Sequence, residues 1–565
     1  MSRISRTLVA GLIAGGAIAL VAGWPRAVSS AAAPAPAALR LGQVEFPTSG
    51  LPAAQPHFLR GVAALHSFWY AEALESFEAA LRLDPGFAMA WWGVAMTYRR
   101  PFVPGTDLEA GRRALANIRE TMTLTARERA YIDALRAWFA GATPAERAQA
   151  HAVAMRDLHR AYPDDLDAGA FHALALLGQD WPDENTLARH RAAGEIAGAV
   201  FRRNPQHPGA AHYIIHSYDE PELAAEGLAA ARHYATIAPD AAHAQHMPSH
   251  IFVHLGMWPE ATAANEAAWA ASEAWVRRKG LGPAHRDYHN LHWLIYSCLQ
   301  EGRYGRAARL VDEFQELRKE MPPELLFFFQ RSVAAFVVDT NGWERAEALF
   351  SAPSASVASA AVTVGLKAPA GIELCGVDAV RPPPAGGAGL PPADIPAFIR
   401  TLAAATLGAA DLDERLRQLR ASAGGDAAMP EFWRIRILEI MAVTSARQGR
   451  FDDAIVALRE ATAIEVELGI PPGPPAAYKP PHELFGEILL RAGRPAEAAA
   501  QFGICLRRHP NRARSVLGEA RARAASGDRP GALDSYRRLL QLWVNADADL
   551  AELREAREFV RSGHG

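Results

Sequence analysis

The residues of this chain best equipped for chemistry are its histidines. There are 20 in 565 residues, and eleven fall between His207 and His292. Their register matters more than their number. His212 and His216 are four apart, and His246 and His250 repeat that pair 34 residues later (212 to 246, 216 to 250). His285 and His289 repeat it again after 39 (246 to 285, 250 to 289), the extra residues fitting a loop around Lys279–Pro283. A His-x3-His pair on a helix presents two imidazoles on one side, where both can reach a single ion. Neutral imidazole is the commonest protein ligand for transition metals. One such pair arises easily by chance, but three in register point to a purpose. The competing reading is packing, with the rings filling fixed positions between helices.

At about 100° per residue, His243, His246, His250 and His254 fall on one stripe, as do His212, His216 and Asp219, and His285, His289 and His292. Pro248 falls inside the second of these segments and should kink it. The expected metal ligands are His212, His216, His243, His246, His250, His289 and His292. His254 and His285 rank lower, and His57, His66, His151, His159, His190 and His509 read as ordinary. Asp219, Glu220 and Glu483 are carboxylates that could ligate, orient a ring or act as a base. Against that, Asp219 and Glu220 suit a turn before Pro221, and Glu483 suits a helix N-terminus.

The elements that must position these side chains are helical repeats. Gly493-Arg494-Pro495-Ala496-Glu497-Ala498 returns as Gly527-Asp528-Arg529-Pro530-Gly531-Ala532, a step of 34 residues (493 to 527). That is the period of the tetratricopeptide repeat (TPR), a pair of antiparallel helices. Trp69 to Pro85 reads as the second helix of one unit, and Gly302-Arg303-Tyr304 and Gly449-Arg450-Phe451 are similar turns. The expected fold is all-α, a right-handed solenoid in two arrays, 57–350 and 396–563. Segment 351–395, rich in Ala, Ser, Pro and Gly, reads as a linker or long loop. The paired histidines fall on the first helix of three successive units, which in such solenoids lines the concave face.

The histidine block resembles a family of bacterial TPR proteins. The residues that carry the likeness are His207-Pro208, His212-Tyr213-Ile214-Ile215-His216, His243-Ala244-Gln245-His246-Met247-Pro248-Ser249-His250-Ile251, His289-Asn290-Leu291-His292-Trp293 and Pro481-His482-Glu483-Leu484-Phe485-Gly486-Glu487. The resemblance implies that His482 and Glu483 join the upstream histidines, brought there by the C-terminal array. It brings no reaction with it.

Composition narrows the rest. A net charge of -3 leaves no basic footprint for nucleic acid. Three cysteines, Cys298, Cys375 and Cys505, are too far apart for a thiolate zinc ribbon. Arg512, Arg514, Arg521 and Arg523 read as a solvated basic face. Arg3 and Arg6, the apolar run Leu8–Trp24 and the small residues after it read as a secretory signal, residues 1–33. An uncleaved anchor is the alternative, and the mature chain is expected to be periplasmic or secreted and off the membrane.

Three functions fit these features. One is a metal centre of copper, zinc or iron, with catalysis by Asp219 or Glu483 left open. The second is a scaffold that grips a peptide or protein partner in the concave groove. The third is a metal carrier without catalysis.

Overall fold

Each repeat begins with a helix rich in small and aromatic residues that pack on both sides, followed by an amphipathic helix that faces solvent. The Pro208–Ser217, Ala242–His246, Pro248–Leu255 and Tyr288–Gln300 helices are of the first kind, with nearly every residue buried. The partner helices Ala224–Ile237, Trp258–Lys279 and Tyr304–Leu317 bury one face only. The computed structural model describes residues 39–102, 106–178, 181, 186–351, 394–425, 429–470, 473–475 and 478–563. Among these residues the regular structure is helix alone, arranged as successive antiparallel hairpins from Gln55–His66 and Tyr70–Leu83 to Ala513–Ala525 and Arg529–Leu542. The expected signal (1–33) and nearly all of the expected linker (351–395) lie outside the described residues. No helix among the described residues is long and apolar enough to cross a membrane.

Pro248 acts as expected. It occupies the first turn of a new helix, so the histidine-bearing segment 242–255 is two helices joined through Met247, which itself stays in the right-handed helical region. His285 departs from expectation. It ends a short 3-10 turn, Pro283–His285, and the following helix starts only at Tyr288, where the Asp287 side chain accepts from the Asn290 N–H.

Residues Arg40–Gly565 form one unit, in which the C-terminal helices pack on the middle of the N-terminal ones. Gly256 closes its helix at φ +65°, and an added Cβ there would sit 2.4 Å from the Pro510 carbonyl oxygen, so only glycine allows this approach. Asn511 Nδ2 donates to the Gly256 carbonyl (2.9 Å), and Trp258 Nε1 donates to that of Asn511 (2.8 Å). Arg512 is not the solvated cation its basic neighbours suggest. It is buried, donating to Asp339 (2.6 Å) and to both oxygens of Glu483 (2.8 and 3.0 Å). A charge so deep survives only because these carboxylates surround it.

Candidate metal centre

The first helices of three neighbouring repeats bring six histidines into two triplets. In the first, His212 and His216 from Pro208–Ser217 meet His243 from Ala242–His246. In the second, His246 and His250 meet His289 from Tyr288–Gln300. Within each triplet the ligand nitrogens lie within 4.8 Å of one another. The closest approaches are Nε2 to Nε2: 2.8 Å for His212 and His243, 3.1 Å for His246 and His250, and 3.0 Å for His246 and His289. Imidazoles bound tetrahedrally to one ion at about 2.0–2.1 Å hold their nitrogens roughly 3.3 Å apart. These three closest pairs need open by only a few tenths of an ångström to share an ion.

The opposite edge of each ring decides what faces inward. His212 Nδ1–H donates to the His66 carbonyl oxygen (2.6 Å), which can only accept, so the His212 Nε2 lone pair points into the triplet. His246 Nδ1–H donates to Asn265 Oδ1 (2.7 Å), and the Asn265 amide is oriented by its own donation to the Ala261 carbonyl (2.8 Å). His250 Nδ1–H donates to Asp219 Oδ2 (2.8 Å). Such outer partners fix the tautomer and aim of ligand rings in metal sites. His216 Nε2 and His289 Nδ1 are buried without a hydrogen-bond partner among the described residues.

The expected open groove is instead filled. His212, His243, His246, His250 and His289 are all buried, because aromatic rings close over them. Phe102 stacks on His216 (4.2 Å between ring centres, 10°), and Phe68 stacks on His243 (5.4 Å, 18°). Trp293 stacks on His250 (4.5 Å, 30°). Phe68 has φ +53°, a strained backbone for an aromatic residue, held where its ring covers the first triplet. Burial, the largest cause, and the neighbouring imidazoles push His212, His243, His246 and His289 well below the usual histidine range, so they stand neutral. His216 is pushed down to about 3 by burial, against the pull of Asp219.

Asp219 is a positioning carboxylate. It accepts from His250 and, at its other oxygen, from His254 Nε2 (3.1 Å). Burial would raise its pKa, but these two rings hold it well below the usual carboxylate range. His254 thus contributes through Asp219, a role its lower sequence rank did not anticipate. Glu220 lies 3.7 Å from His190 and faces neither triplet.

Three expected site residues stand apart. His292 belongs to neither triplet: its Nδ1–H donates to Ser332 Oγ (3.2 Å), whose own hydrogen goes to the Phe328 carbonyl. His482 donates through Nδ1 to Gln501 Oε1 (2.7 Å), with its Nε2 3.8 Å from Glu465. Glu483 is committed to Arg512, Lys479 and Ser515 (2.8, 3.2 and 2.6 Å). The C-terminal array does fold against the N-terminal one, but its glutamate anchors the docking instead of supplying a ligand or base.

His66, an ordinary residue by sequence, supports the first triplet. Its carbonyl holds His212, its Nε2–H donates to Asp167 (2.8 Å), and its Nδ1 accepts from the Tyr213 hydroxyl (2.9 Å). His207 Nε2 is 3.4 Å from the same Asp167 oxygen, while its Nδ1 caps the Pro208–Ser217 helix by accepting from Ala210 N–H (3.1 Å). This third cluster braces the first triplet, and its ligand atoms, which lie within 4.8 Å of one another, could also hold an ion. The only early sign was His207, which heads the same helix as His212 and His216.

Residues 54–87 match the family model for the tetratricopeptide repeat, spanning the hairpin of Gln55–His66 and Tyr70–Leu83. That hairpin is the part of this chain that the family model covers. No curated protein matches it in sequence. Among solved structures it is similar to a chain of the APC/C hetero-tetramer Cut9–Hcn1, at 11% identity and a TM-score of 0.29 over 90% of this chain and 75% of that one. It is also similar to yeast Tom70, at 10% identity and a TM-score of 0.33 over 91% of this chain and 96% of that one. The successive helical hairpins bring the helices Pro208–Ser217, Ala242–His246 and Tyr288–Gln300 close enough for their histidines to meet.

Proposed function

We propose that this TPR protein binds transition-metal ions at its two tri-histidine sites. The observation that carries the reading is the pairing of His246 with His250: their Nε2 atoms face each other at 3.1 Å while both Nδ1 hydrogens are committed elsewhere. Two ring nitrogens this close in a buried site need a proton or a metal ion between them, and the approach of a third, His289 Nε2 at 3.0 Å from His246, favours the metal. An all-nitrogen, sulfur-free ligand set suits copper(II), zinc(II) or iron(II). Three protein ligands leave a fourth position for water or substrate, the arrangement of catalytic rather than structural metal sites. That feature favours a metalloenzyme over a carrier.

A scaffold role is the second reading, supported by the TPR match at 54–87. Burial of the histidines argues against their lining a peptide groove. The N-terminal run Arg3–Trp24 supports export, and the metal would then be acquired outside the cytoplasm.

The test is equilibrium dialysis of chelator-stripped protein against zinc(II) and copper(II), followed by X-ray absorption at the metal edge. Uptake with a nitrogen-dominated shell and imidazole scattering is the expected result. Failure to take up either metal, or a shell dominated by carboxylate oxygen, would remove the reading.

A further inference from the structure

Resting on that metal reading, we propose that the two tri-histidine sites form one dinuclear centre, and that a small exogenous anion bridges its two ions. The geometry begins with a single helix. His243 and His246 are one turn apart on Ala242–His246, yet His243 turns its Nε2 to His212 and His246 turns its Nε2 to His250 and His289. Side chains one turn apart on a helix stand about 5–6 Å apart at Cβ. Ions held by these two rings are therefore neighbours.

Charge balance then asks for an anion. All six ligands are imidazoles, which bring no negative charge. The carboxylate serving the pair is Asp219, which bonds His250 and whose charge reaches both His216 and His246. Two divalent ions bring four positive charges against its one. Asp167 is held by His66, behind the ring of His212, and Asp287 is pushed up to about 7 by burial. Arg331 adds positive charge beside His289 and His292. Such an excess in a buried site is costly unless neutralised. A small anion reaching both ions meets the excess where it is greatest and fills the position each triplet leaves free. The ligand class is a hydroxide, a pseudohalide or a small carboxylate, and a substrate of this centre would bind through such a group.

The experiment loads the full chain with copper(II), counts the metal, and titrates it with azide under optical and electron paramagnetic resonance detection. The expected result is two copper ions per chain and one azide per copper pair, with azide binding accompanied by loss of most of the copper resonance through coupling. His216→Ala should hold one copper, keep its full resonance and bind azide about 100-fold more weakly, because one ion replaces two. His243→Gln gives a second test should His216→Ala fold poorly, with circular dichroism as the check. Two coppers that each bind their own azide, or bind none, with resonance intact would overturn the bridge and leave the metal sites standing. No copper uptake by the unmodified chain would overturn both.

Discussion

His246 and His250 face each other through their Nε2 atoms at 3.1 Å, with the Nδ1 hydrogen of the first on Asn265 and that of the second on Asp219. Neither ring can turn to relieve the contact without giving up a charge-assisted or buried hydrogen bond. The two ring nitrogens are thus held facing each other by their outer partners.

Asp219 tests how far that preparation matters. Asp219→Asn keeps the shape but removes the charge that holds His250 and His254. Loss of an outer partner of this kind costs about 10–100-fold in metal affinity. Competition with a chelator of known affinity measures it. An unchanged affinity would show that Asp219 does not support the second triplet.

Gly209 tests the brace beneath the first triplet. An added Cβ would lie 2.3 Å from His66 Nδ1, so Gly209→Ala must push His66 aside. Overpacking of this sort costs about 1–3 kcal/mol, and here it also displaces the carbonyl that orients His212. Thermal unfolding should show the lost stability, and metal titration should show weakened binding at one of the two sites.

The C-terminal docking should be separable from the metal sites. Glu483→Gln removes one of the two carboxylates that hold buried Arg512. Breaking a buried ion pair from one side costs about 3–5 kcal/mol. The variant should unfold at lower temperature yet bind as much metal as the parent. A loss of metal with the fold intact would return Glu483 to the site.

Acid should destabilise the metal-free protein early. Burial, the largest cause in each case, holds His66 at about 4 and His216 at about 3, below the usual 6.5. The unfolded chain therefore binds more protons than the native one once pH falls below about 6.5. The stability these rings contribute is complete above that value and is lost as pH drops toward 4 and 3. Melting temperature followed from pH 8 to pH 4 should fall across this range. A flat profile would mean that the rings are not neutral in the native state.

The sequence and the structure agree most closely where helical periodicity rules. The 34-residue step from His212 to His246 and from His216 to His250 was legible because helical hairpins that repeat at a fixed period place equivalent residues on neighbouring helices. The division of one histidine stripe between two triplets was not legible, since His243 and His246 share a helix face and only the neighbouring helices decide where each points. Asn265, His66 and Asp167 carried no signal, because their contacts with the site depend on packing between separate elements. The family likeness placed His482 and Glu483 in one motif with the ligands, but Arg512 and Gln501 claim them. Export and the linker at 351–395 rest on the sequence alone.

The most direct measurement is the metal content of the protein, purified untagged from its native source, beside that of a His246→Ala/His250→Ala double variant. Near-stoichiometric transition metal is expected in the parent and a clear loss in the variant, with helicity by circular dichroism unchanged. Metal absent from the parent even after reconstitution, or retained in full by the variant, would contradict the metal reading.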